Sequence, residues 1–259
     1  MDEVKWDLHE LIGTVTLHRP DVKNAITIEM ADEVASLLRS AQMNPDVHVI
    51  ILTGAGRAFC AGGDLNRLAV GHQPIEVRNR LTEHMHQIAY AVESLDKPLI
   101  AAVNGDAFGA GMDIALMCDF RFAADTARFS DGYILAGLVP GDGAAYYLPR
   151  VAGIATALDL LLTGRTVDAA EAARLGIVHG VHSAAELLEE VLKFARVLAG
   201  RPIELVKMVK RAVYESARSD LRTSLDLVAA QMGVIRSTEE SAQTLRSFLE
   251  RRGTRSQSS

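Results

Sequence analysis

The sequence predicts an α/β fold with a mostly parallel, layered sheet and a helical C-terminal region. Short apolar, β-rich runs at 47–53 and 99–103 are bounded by turn residues, as strands buried on both faces are. Segments with apolar residues at helical spacing lie between them, so strands and helices alternate along the chain. From about residue 184 onward only the helical spacing remains. The 259 residues, 49% hydrophobic and 23% charged, suffice to bury a large core, as one big domain or as one domain with a helical appendage.

Charge and targeting signals narrow the function classes. A net charge of −6 argues against a general nucleic-acid-binding face, while a local basic pocket for a phosphorylated ligand stays compatible with it. Cys60 and Cys118 have no metal-ligand spacing and read as free, buried thiols in a reducing compartment. The opening MDEVKWDLHE has no basic n-region followed by an apolar h-region, and the most apolar long stretch is broken by Asn104, Asp106 and Asp113. A cytoplasmic protein with no membrane partner is expected.

Each element follows from local pattern. Residues 11–18 carry Ile12, Thr14, Val15 and Thr16 before Arg19-Pro20-Asp21, a strand ending in a turn on which Lys23 and Asn24 sit. Met30, Val34, Leu37, Leu38 and Ala41 then share one helix face, with Thr27 as N-cap, Glu29 in the first turn and Asn44-Pro45-Asp46 as the stop. A long helix is predicted over 74–95 and a further strand over 120–123. Within that helix His84 and His86 stand two apart and face different ways, so they make no metal pair. With His72 they read as solvated or core-edge residues without an assigned role. Short helices over 154–163 and 167–175 are joined by Thr163-Gly164-Arg165, with Thr166 capping the second. Stripes beginning at Leu187, Leu205 and Leu221 give successive helices to about Leu249. The division expected is a core over 1–195, a helical oligomerisation region over 196–252 and a disordered polar tail over 253–259.

Two turns carry the chemistry. VNGDAFGAGMDIALMCD at 103–119 delivers a turn of small residues, Gly105, Gly109, Ala110 and Gly111, into an apolar helix. Such a turn serves close packing, or it aims the free N–H groups of a helix N-terminus at a developing negative charge. RAFCAGGDL at 57–65 is a second turn of the same kind, and two such turns can form a two-donor oxyanion hole. Gly109-Ala110-Gly111 lacks the third glycine of a dinucleotide fingerprint, and Gly54-Ala55-Gly56-Arg57 lacks the Gly-Lys-Ser/Thr of a phosphate-binding loop. There is also no GxSxG nucleophile elbow.

With AFCAGGDL at 58–65 and the VNG…GAGMDIALMCD run together, the chain resembles the enoyl-CoA hydratase/isomerase (crotonase) superfamily over nearly its whole length, as does ALDLLLTGRTVDAAEAARLGIVHGV further on. The resemblance implies a spiral of ββα repeats, a C-terminal helical region packing into trimers or hexamers, and a coenzyme A thioester as substrate with no other cofactor. It also implies that the backbone N–H groups of Gly63 and Ala110 form the oxyanion hole. Coenzyme A binding would use Lys23 and Ala25, the backbone at Ala61, Gly62, Asp64 and Leu65, and Arg57 near the phosphates, with Arg251 or Arg252 supplied by the C-terminal region.

The match is informative where it departs. Typical family hydratases carry two glutamates where this chain has Asp113 and Tyr133, and Asp142 in Pro140-Gly141-Asp142-Gly143 is a third candidate or a structural turn residue. Aspartate is one methylene shorter than glutamate, and tyrosine donates a hydrogen bond at neutral pH more readily than it acts as a base. Asp113 is therefore expected to transfer protons and Tyr133 to donate a hydrogen bond. The helix dipole favours an Asp113 carboxylate while Met112 and Ile114 limit its solvation, which leaves the direction of its pKa open. The implied function is an acyl-CoA-processing lyase or isomerase of fatty acid metabolism. A non-catalytic acyl-CoA-binding protein, or a family decarboxylase or thioester hydrolase, is the alternative.

Overall fold

A computed structural model describes residues 3–64 and 73–256, the last six as backbone. The chain divides into two compact units between Ala199 and Gly200. In the first, β1 (Val4–His9), β2 (Ile12–Leu17), β3 (Val49–Gly54), β5 (Leu99–Val103), β7 (Phe120–Ala124) and β10 (Gly180–His182) form one sheet in the order β1-β2-β3-β5-β7-β10. Only the β1/β2 pair is antiparallel. A smaller sheet runs β4 (Ala58–Cys60), β6 (Asp106–Phe108), β8 (Arg128–Ser130) and β9 (Val167–Asp168). Successive pairs β3–β4, β5–β6 and β7–β8 each give one strand to either sheet, which is the ββα repetition the family resemblance implies.

The apolar runs behave as parallel strands should. β5 is buried at every residue, and the Leu187–Ala199 helix packs across β2, β3, β5, β7 and β10. Thr27 caps the Ile28–Met43 helix, its side chain accepting from the Met30 N–H at 3.1 Å, and Asn44 ends it. Both cysteines are buried and free, and burial pushes the Cys60 thiol up to about 12.

Two local expectations need correction. The helix predicted over 74–95 is Pro74–Arg80 and His86–Glu93 with a π turn at Leu81–Met85 between them. There the Thr82 hydroxyl donates to Arg78 O at 3.0 Å and the Gln87 amide donates to Thr82 O at 3.0 Å, so side chains compete within the helical ladder. Residues 167–175 do not form a single helix capped by Thr166. Val167 and Asp168 pair antiparallel with β8, and Asp168 caps the Ala169–Arg174 helix by accepting from the Glu171 N–H at 2.7 Å. Satisfying the open edge of β8 outweighs the earlier helix start.

The second unit consists of the helices Ile203–Ser216, Leu221–Arg236 and Glu239–Ser256. The last of them runs past Gly253, where the polar tail begins in the sequence. Among the described residues no helix is long and apolar enough to cross a membrane.

Glycine substitutions separate close approach from helix propensity. A Cβ on Gly111 would lie 2.2 Å from Cys60 O, whereas one on Gly233 would meet nothing within 4 Å. Gly111→Ala should lower the denaturant midpoint, at about 1–3 kcal/mol for overpacking, despite alanine's better helix propensity. Gly233→Ala should raise it by up to about 1 kcal/mol. Equal shifts of the same sign in chemical denaturation would contradict this reading.

Candidate active site

The small sheet brings the two glycine-rich turns together. β4 and β6 pair in parallel, Ala58 opposite Asp106 and Cys60 opposite Ala107, so the chain leaves both strands at the same end. The contact beyond them is backbone on backbone. A Cβ on Gly62 would lie 2.8 Å from Phe108 O and 3.8 Å from Ala110 N, and Gly111 touches Cys60 from the other side. Gly62 (φ +98°) and Gly109 (φ +48°) also hold backbone conformations that side chains disfavour.

A third segment completes the junction. The Ala61 N–H donates to Lys23 O, the Ile26 N–H to Gly62 O and the Asp64 N–H to Ile26 O, which joins the Lys23–Ala25 turn to the strip after β4. In that parallel pairing the Gly63 N–H faces away from Ile26. Among the described residues neither the Gly63 nor the Ala110 N–H has an acceptor. Two asparagines lock the arrangement: the buried Asn24 amide donates to Ala55 O and Ala58 O at 2.9 and 2.8 Å. Asn104 accepts from the Gly54 N–H at 3.1 Å and donates to Gly56 O at 3.0 Å. The sequence reading placed Asn24 on a turn and gave neither asparagine a role; for Asn104 the signal was an amide side chain at the end of an apolar strand, beside Gly105.

A cavity of about 200 Å³ opens beside this junction, lined by Ile26, Gly63, Leu81, Leu138, Tyr133 and Asp142 among others. Ala110 and Asp113 are not in its lining. Tyr133, on the 3-10 turn Gly132–Ala136, lies over the second glycine turn, its Cζ 3.6 Å from where a Gly109 Cβ would be. Its hydroxyl donates a short hydrogen bond to Asp142 Oδ2. Asp142 Oδ1 and both oxygens of Asp113 and Asp131 are buried without a hydrogen-bond partner.

This is an electrostatically costly cluster. Burial, followed by Asp131 and Asp142, raises the Asp113 carboxyl well above the usual range; the backbone amides of Ala144 and Asp142 oppose this without closing hydrogen bonds. Burial thus wins over the helix dipole. Asp131 is raised to about 7 by burial and then Asp142. Burial raises Asp142 as well, against the hydrogen bond from Tyr133 and the charges of His86 and Arg80. The Tyr133 phenol is pushed far up by burial and its carboxyl neighbours, so it is a donor rather than a base. Asp131 was not singled out from sequence, although it stands two residues before Tyr133 in the same segment.

The histidines of the helical stretch do diverge. His84 Nδ1 sits 2.9 Å from Asp32 Oδ2, and His86 donates from Nε2 to Gly141 O at 2.8 Å. Among the described residues no group of three or more histidine, cysteine or acidic side chains is placed to hold a metal ion. On the basic side Lys23 Nζ lies 3.4 Å from Asp106, which Arg128 grips at 2.9 and 3.0 Å. Burial opposes ionisation of Asp106, yet Arg128 and then Lys23 hold its carboxyl below the usual range. Arg57 is exposed on the turn after β3. Leu65 and His72 lie outside the described residues, as do the Arg251 and Arg252 side chains.

The chain is similar to known proteins over nearly its whole length. The sequence profile of the enoyl-CoA hydratase/isomerase family matches residues 7–257. A crotonyl-CoA hydratase of Syntrophomonas wolfei is 32% identical, covering 97% of this chain and 96% of its own. A short-chain-enoyl-CoA hydratase of Clostridium acetobutylicum is 32% identical over 93% and 92%. The crystal structure of an enoyl-CoA hydratase from Bacillus anthracis superposes with a TM-score of 0.92 at 30% identity, covering 96% of this chain and 97% of that one. With a profile match over almost its full length and relatives of this similarity, the chain belongs to the enoyl-CoA hydratase/isomerase family.

Proposed function

We propose that this chain is an acyl-CoA enzyme of fatty acid metabolism that stabilises a thioester enolate, with the Gly63 and Ala110 N–H groups as the oxyanion donors. The observation that carries this reading is the pair of acceptor-free amides on two turns held in backbone contact, one of them lining a cavity. A thioester oxygen gains negative charge when the carbon next to the carbonyl loses a proton. Preorganised donors there contribute about 2.7–4 kcal/mol each. Coenzyme A would lie along Lys23, Ala25, Ala61, Gly62 and Asp64, with Leu65 beyond and Arg57 toward the phosphates. No cofactor is needed beyond that thioester.

Asp113 and Tyr133, the residues at which the chain departs from the hydratase pattern, belong to the polar cluster behind and beside the cavity. Hydration uses a carboxylate to activate water and an acid to protonate carbon. Among the described residues the cavity wall carries one carboxyl, Asp142, an arrangement that suits proton removal and return at the acyl chain better than addition of water, which calls for two. Isomerisation is thus favoured, with decarboxylation and thioester hydrolysis as other outcomes of the same enolate site. We place the protein in the cytoplasm.

Titration calorimetry with butyryl-, crotonyl- and octanoyl-CoA should show binding, and mass spectrometry of the mixtures should reveal turnover of an unsaturated thioester. Binding without turnover would make the chain an acyl-CoA-binding protein; no binding by any of them would overturn the reading.

The second unit leaves Val209, Val213, Leu221, Leu225, Val228 and Met232 exposed on successive helices, more apolar surface than a monomer leaves in water. We assign that surface to a homotrimer, or to a hexamer made of two. Light scattering at micromolar concentration should give three or six times the chain mass, and a monomer would contradict it.

A further inference from the structure

The role of proton carrier, assigned from sequence to Asp113, fits another residue better. Asp113 is 0% exposed and lies outside the cavity lining, so its carboxyl meets no ligand there. Asp142 lines the cavity and is only 8% exposed. One of its oxygens accepts from the Tyr133 hydroxyl, while Oδ1 is buried without a partner. A carboxylate with one oxygen fixed by a donor and the other unspent, on the wall of a mostly apolar cavity that also includes Gly63, is built to exchange a proton with whatever fills that cavity.

We propose that Asp142 is the catalytic base and acid of this site, with Tyr133 as the residue that positions it and Asp113 and Asp131 behind it. This rests on the acyl-CoA reading above. In the step proposed, the Asp142 carboxylate takes a proton from the carbon next to the thioester carbonyl, and the C–H electron pair moves to the carbonyl oxygen. The protonated Asp142 then returns a proton to that carbon, or to the γ-carbon of an unsaturated chain. Nothing is oxidised or reduced and no co-reactant is consumed. The groups facing Asp142 divide by sign: Tyr133, His86 and Arg80 favour its carboxylate and burial opposes it, while Asp142 in turn raises the carboxyls of Asp113 and Asp131. Cys60, also close by, stays a thiol because burial pushes it up to about 12.

Solvent deuterium entering the acyl chain of a CoA thioester measures this step, and calorimetry reports binding separately. Asp142→Asn should slow exchange by about 10²- to 10⁴-fold with acyl-CoA affinity within about threefold of wild type. Asp113→Asn should slow exchange far less than Asp142→Asn does. Tyr133→Phe removes a hydrogen bond that favours the carboxylate, so the acid limb of the pH–rate profile should move to higher pH, a shift that loss of packing alone would not produce. Asp142→Glu should recover part of the exchange, and with Tyr133→Phe it decides the matter if Asp142→Asn proves misfolded by its melting curve. Wild-type exchange in Asp142→Asn would overturn the proposal, and loss confined to Asp113→Asn would return the role to Asp113. A wild-type protein that binds acyl-CoA but exchanges no deuterium would instead overturn the enolate reading itself.

Discussion

The structure depends on the approach of two backbone turns to a distance that only glycine permits. Gly62 stands against Phe108 O and Gly111 against Cys60 O, each closer than a Cβ could come. That approach needs β4 and β6 in parallel register, and the register in turn needs the β3–β4 and β5–β6 corners to hold still. Asn24 and Asn104 supply the restraint, their side-chain amides donating to carbonyls within residues 55–58. Such bonds are worth about 1 kcal/mol each when made and more when a partner is left unsatisfied. The result is an N–H on each turn without an acceptor among the described residues.

The polar cluster is sustained by the same rigid frame. Burying unpaired carboxyls is unfavourable, and the cost is met by keeping protons on them. Asp131, raised to about 7, shows the sign of the linkage. Its contribution to stability is fully present below the ordinary aspartate range and is lost as pH rises through 7, because the folded state there binds a proton that the unfolded chain has released. The site is therefore a place where the large apolar core offsets a local loss, and such losses cluster where proteins do chemistry.

Most of the fold was legible because it is written in local pattern. The runs at β3 and β5 are apolar throughout, and the Thr27 cap and the stop at Asn44 are short-range signals. The π turn at Leu81–Met85 and the start of the helix at Ala169 were not legible, since the first involves side-chain hydrogen bonds that periodicity does not register and the second is decided by an open strand edge. In the site, the glycines marked the two turns and the departures from the family pattern marked Asp113 and Tyr133. Periodicity says nothing about which carboxyl ends up beside a cavity. Asp142 read as a third candidate or a turn residue, and its hydrogen bond from Tyr133 is visible only in the folded chain; Asp131 drew no notice because its neighbours come from other parts of the chain.

The most direct test of the central claim is a crystal structure of the protein with acetoacetyl-CoA, whose acyl group enolises readily. The account predicts the thioester oxygen about 2.7–3.1 Å from both the Gly63 and the Ala110 nitrogen, the reach of a hydrogen bond to an oxyanion. A thioester oxygen bound elsewhere, with those two amides facing water, would contradict it.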